Sequence, residues 1–152
     1  MTSDTTLKQR YLVANFIGLA MVASVFLYAV VVEVMQRLLA PFAGLGVLTP
    51  DQARFLKYVL AVLALGHFFL IKLCQKLLSG PSLKHLFQTA ILTFALCEAV
   101  AIYGLVLFLL TGQVFDFYLF FALSLSYFYL FYPRYATWEL VWQGRSEKPT
   151  PE

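Results

Sequence analysis

Between Leu86 and Leu110 the chain is apolar for the thickness of a bilayer and carries a single charged side chain, Glu98. A hydrocarbon core about 30 Å thick needs about 20 mostly apolar residues in a helix. Within lipid the backbone must satisfy itself, so only helices and closed barrels cross. Three more runs meet the same length criterion. The candidate spans are about Tyr11–Met35, Phe55–Leu78, Leu86–Leu110 and Val114–Tyr132. The chain is only 12% charged, against about 25% for a soluble domain, so a water-soluble fold is excluded.

The connections carry breakers. "APFAGLGVLTPDQ" (Ala40–Gln52) holds two prolines and two glycines. "SGPS" (Ser79–Ser82) is a turn signal. "TGQVFD" (Thr111–Asp116) is a tight link, and Pro133 stops the last span. The expected fold is all-α: one membrane domain over residues 1–152, with four transmembrane helices as two antiparallel hairpins. "MTSDTTLKQRYL" is polar before the first apolar run, and no small-residue cleavage site follows, so that run reads as a retained span. Cys74 and Cys97 lie in apolar segments and suggest neither a disulfide nor a metal site. A net charge of +3 without a basic patch gives no reason to expect nucleic acid.

Basic residues give the expected orientation. Lys8, Arg10, Lys72, Lys76, Lys84, Arg134, Arg145 and Lys148 fall on one side; Arg37, Arg54 and Lys57 fall on the other. The positive-inside rule puts both termini in the cytoplasm, in a membrane expected to be a bacterial inner membrane. Residues 133–152 read as a cytoplasmic interfacial stretch and tail. Tyr135, Trp138 and Trp142 recur there at helical spacing, which suits a membrane-surface anchor. The "EKPTPE" end is polar and Pro-rich and is expected to be disordered.

Glu98 sits near the centre of the third span. Insertion there costs about 2.5–3.5 kcal/mol for an ionised acid. Protonation lowers that cost, so the position predicts a proton-binding group. On the same helix Ala90, Thr93, Cys97, Ala101 and Gly104 fall within about 40° of one line. Such a small-residue stripe lets a neighbouring helix approach closely, and Glu98 lies about 100° from its centre.

The segment "SLKHLFQTAILTFALCEAVAIYGLVLFLL" resembles the second helix of rotary ATPase proteolipid (c) subunits. The likeness lies in the cytoplasmic turn with Pro81, Ala95-Leu96-x-Glu98-Ala99, and Ile102-Tyr103-Gly104-Leu105-Val106. It implies that Glu98 carries the transported ion, with Tyr103 near it. Ala99 offers no oxygen ligand for sodium, so a proton is the expected cargo. That family's preceding helix has glycines at every second position, whereas the second span here has only Gly66, followed by His67, Phe68 and Phe69.

His67 lies at a depth similar to that of Glu98, and a His67–Glu98 pair sharing a proton is the sharper expectation. A His bonded to a backbone carbonyl is the plainer one. The proton-binding candidates are thus Glu98, His67 and Tyr103. Glu33 and Arg37 form an i,i+4 pair at an interface and are secondary candidates, with a port for ions as the alternative reading. Asn15 and Ser24 are expected to bond to a neighbouring helix, and Asp116 to be solvated. No nucleophile–base pair, phosphate loop or metal-ligand cluster is visible, so no enzyme activity, cofactor or metal is expected. Two functions fit: proton handling in or with a larger membrane complex, or a noncatalytic subunit or assembly factor in which the acid fixes helix pairing. Lipid and a protein partner or second copy are the expected partners.

Overall fold

The structure is a computed structural model that describes residues 2–77, 83–133, 135 and 138–140. The Ser79–Ser82 turn, Trp142 and the Pro-rich end lie outside the described residues. Four helices follow in order: α1 (Thr2–Leu38), α2 (Pro50–Leu77), α3 (Leu83–Thr111) and α4 (Val114–Phe131). All four are long and apolar enough to cross a membrane. The chain is an all-α integral membrane protein with four membrane helices.

α1, α2 and α3 are longer than their apolar spans, for local reasons. The polar residues from Thr2 to Arg10 continue α1. α2 begins at Pro50, a turn before its apolar run. Thr49 caps it: the Gln52 N–H donates to Thr49 Oγ1, and the Thr49 N–H donates to Gln52 Oε1 at 3.0 Å. This reciprocal pair is a capping box, and proline suits the first helical position because its missing N–H would be unpaired there anyway. α3 ends at Gly112, whose φ of 70° favours glycine. The Gly112 N–H donates to Phe108 O at 2.7 Å.

α3 is the central helix. It packs against α1, α2 and α4, whereas α1 and α2 are not a packed pair. Consecutive helices run antiparallel. Gly18 meets Phe94 and Tyr28 meets Glu98, so α1 and α3 are parallel. Lys57 meets Asp116 and Ala64 meets Tyr127, so α2 and α4 are parallel. One end of the bundle carries the α1–α2 loop and the α3–α4 turn, here the loop end; the other carries the chain termini.

The small-residue stripe of α3 is buried, and α4 covers it. Gly104 lies under Phe117 and Phe120, and the Cys97 carbonyl accepts the Ser124 hydroxyl at 2.8 Å. Ala90, Thr93 and Ala101 are buried along the same line. α4 answers with Phe117, Phe120, Ser124, Tyr127 and Phe128, the i, i+3, i+4 spacing of one helical face. α2 contributes Ala64, His67 and Ile71 in the same way.

The residues after α4 fold back on the start of α1. Trp138 is only 3% exposed, and its ring lies 5.5 Å from Tyr11. Tyr135 also meets Tyr11, at 5.0 Å. Trp138 therefore packs on the start of α1. Its periodicity with Tyr135 was legible, but the α1 face that receives it was not.

Candidate functional site

Glu98 faces α1. Its Oε1 accepts the Tyr28 hydroxyl at 2.8 Å and is in contact with Ser24 Oγ. Ser24 Oγ also lies 2.7 Å from the Met21 carbonyl. Ser24 and Tyr28 are one turn apart on α1, so both hydroxyls reach the same point. All three residues are half-buried. Ser24 thus bonds to a neighbouring helix, the reading favoured from sequence.

His67 does not meet Glu98. Its Nδ1–H donates to the Leu63 carbonyl at 2.7 Å, one turn back on α2. The other ring nitrogen, Nε2, faces the Tyr103 hydroxyl at 3.4 Å, and the two rings meet edge to face at 5.4 Å. The expected His67–Glu98 pair is corrected, as is the placing of Tyr103 beside Glu98. The reason is rotational. Tyr103 follows Glu98 by five residues, or about 140° around the helix. If α1 covers Glu98, Tyr103 must look elsewhere, and it looks at α2. Side chains also lean toward the N-terminus of their own helix. In the antiparallel α2–α3 pair His67 and Tyr103 lean toward each other, while Glu98 leans away.

The loop end holds two further polar groups. The Glu33 carboxylate accepts the Tyr118 hydroxyl at 2.6 Å and lies 3.9 Å from Arg37 Nε, in an exposed i,i+4 pair. The Tyr118 contact from α4 had no signal in the sequence. Asp116 is 7% exposed and pairs with Lys57 Nζ at 2.5 Å. The expectation of a solvated Asp116 is corrected: Asp116 is buried in the first turn of α4, and Lys57 reaches across from α2 to neutralise it. A charge of each sign near neighbouring span ends was a readable signal, but their facing was not.

At the other end, Tyr132 donates to Asn15 Oδ1 and Tyr11 to the Pro133 carbonyl. Among the described residues Thr93 Oγ1 is buried without a hydrogen-bond partner, and no three His, Cys, Asp or Glu side chains converge as metal ligands. Among the described residues Glu98 is tied to hydroxyls, His67 to a backbone carbonyl and Asp116 to an opposite charge.

The fold and site define a four-helix membrane protein with a hydroxyl-bound carboxyl group at the α1–α3 seam. No protein-family model, no curated protein and no solved structure matches the chain.

Proposed function

We propose that the chain is a noncatalytic, proton-binding component of a larger membrane complex, with Glu98 as the acid and Ser24 and Tyr28 as its partners. The observation that carries this reading is a count of hydrogens. The Ser24 hydroxyl has one proton and two oxygens within reach, Met21 O and Glu98 Oε1. When Glu98 is ionised, Ser24 and Tyr28 both donate to Oε1. When Glu98 is protonated, its O–H donates to Ser24 Oγ, and Ser24 turns its own proton to Met21 O. Tyr28 donates to Oε1 in both states. Each state leaves the polar groups satisfied, and the two differ by one proton and one hydroxyl rotation. A site built this way takes up and releases a proton with little rearrangement of packed side chains.

The resemblance of this helix to the acid-bearing helix of proteolipid subunits agrees with such a role. The reading does not extend to a rotating ring, because Phe68 and Phe69 stand where close nesting needs glycine. The eight-to-three asymmetry of basic residues supports cytoplasmic termini in a bacterial inner membrane. His67 is outside the proton site in this reading, since both ring nitrogens are already engaged.

The test is infrared titration of the protein in liposomes. A carbonyl band of a protonated carboxyl should vanish as pH rises, and Glu98→Gln should remove it. Ser24→Ala should shift the titration. A spectrum with no Glu98-dependent titrating band would overturn the reading. It would leave the second one, a structural contact, which the placing of both donors on α1 favours: the acid then pins α1 to α3 and carries nothing.

A further inference from the structure

α1 has a face that α3 does not use. On it lies an open groove of about 390 Å³, lined by Phe26, Ala29, Val30, Glu33, Val34 and Arg37. Their spacing of three and four residues makes one continuous strip along the helix. Ala29 forms the depression, as the smallest residue of the strip, with Phe26 one turn before it and Glu33 one turn after. Phe26 meets Phe121 of α4 at 5.5 Å, and Glu33 accepts the Tyr118 hydroxyl. The other lining residues are apolar, and the two charges stand together at the loop end.

The groove has the length of one leaflet. Phe26 lies between Ser24 and Tyr28, which both meet Glu98 at the centre of α3. Arg37 is in the last turn of α1. From Phe26 to Arg37 the helix rises about 16 Å at 1.5 Å per residue. Half of a hydrocarbon core about 30 Å thick is about 15 Å. The groove therefore follows the course of one acyl chain, from the bilayer centre to the level where headgroups begin.

Its two charges are open. Lys57 and Asp116, at the same end, close on each other at 2.5 Å. Glu33 Oε2 and Arg37 Nε stay 3.9 Å apart, too far for a hydrogen bond. Among the described residues Oε2 accepts no hydrogen bond and the guanidinium donates none. The Arg37 side chain is 82% exposed and that of Glu33 46%. A ligand that satisfies both carries an anion and an N–H cation on a short arm.

We infer that this groove binds an ethanolamine phospholipid of the loop-end leaflet. Its acyl chain lies along Phe26, Ala29 and Val30, its phosphate on Arg37 and its ammonium on Glu33. A guanidinium offers a phosphate two parallel N–H bonds. A choline headgroup has no N–H to give Glu33, and a glycerol headgroup brings no cation to neutralise it. The site is separate from Glu98 and does not depend on that acid binding a proton.

The probe is an ethanolamine phospholipid with a photoactivatable acyl chain, in liposomes holding the full chain, with labelled peptides mapped by mass spectrometry. Labelling is expected within residues 26–37. Unlabelled ethanolamine lipid should compete about fivefold better than choline or glycerol lipid, the size of one exposed charge pair. Glu33→Gln should remove that preference and keep the labelling. Arg37→Gln should lower labelling about fivefold. Arg54→Gln, which removes another exposed cation at the loop end, should change nothing. Equal competition by the three lipids, labelling spread evenly over the four helices, unchanged labelling in Arg37→Gln or an equal loss in Arg54→Gln would each overturn the site. Stronger competition by the glycerol lipid would overturn the ethanolamine assignment.

Discussion

Gly104 is where α3 and α4 come closest to sharing space, and adding one methyl group there tests the packing. A Cβ at Gly104 would lie 2.6 Å from Phe120 Cβ and 3.2 Å from the Phe117 carbonyl oxygen. Packed carbons rest about 3.5–4.0 Å apart, so the first contact is short by roughly 1 Å. Phe120 Cβ is fixed to the α4 backbone and cannot swing aside, so Gly104→Ala must push the helices apart. A gap of 0.5–1 Å forfeits about a quarter to a half of each neighbouring contact, and overpacking of this kind costs about 1–3 kcal/mol. Gly66→Ala is the matched control. Its Cβ would meet nothing within 4 Å, and replacing a mid-helix glycine gains about 0.5–1 kcal/mol. That gain is common to both positions, so the two variants should separate by the overpacking cost, about 1–3 kcal/mol. Reversible unfolding in mixed detergent–lipid micelles measures this directly. Equal stability of the two variants would refute the close α3–α4 seam.

Lys57→Met should destabilise the protein, because it leaves the Asp116 acid buried without its cation. Lys57 is itself partly exposed, so about 1–3 kcal/mol is expected, below the 3–5 kcal/mol of a fully buried pair, and Lys57→Met with Asp116→Leu should recover most of it in the same unfolding assay. Trp138→Ala should cost about 3–5 kcal/mol, measured by thermal unfolding; a cost near zero would refute its packing on Tyr11. Tyr28→Phe should change the infrared titration of Glu98, whereas His67→Gln should leave it unchanged, because His67 lies on the α2 side of α3. An effect of His67→Gln as large as that of Tyr28→Phe would refute the facing described for α3.

Much of the architecture is legible along the chain. Four apolar runs separated by Pro, Gly and polar links specify four membrane helices, since backbone in lipid has so few ways to be satisfied. The stripe from Ala90 to Gly104 marks a close-packing face before any partner is known. The capping box at Thr49 and Gln52 explains the early start of α2, which hydropathy alone places at Phe55. The site was legible in part. Glu98 stands out because a charge is expensive there, and Ser24 was read as a residue bonding to another helix. Tyr28 is not legible, because a tyrosine in an aromatic-rich span carries no signal of its own.

Sequence alone determined that this chain lies in a membrane as helices, and that one acid sits at the middle of the third. Tertiary structure decided what the acid touches. Hydropathy and spacing describe a helix along and around its own axis, but contain no measure of how neighbouring helices are rotated. That rotation is set by packing: Gly18 on Phe94 brings α1 over the Glu98 face, and Gly104 on Phe120 seats α4 on the small-residue stripe about a quarter turn away. With α1 and α4 so placed, α2 receives the remaining side. Tyr103 and His67 meet there, and Glu98 is left to Ser24 and Tyr28.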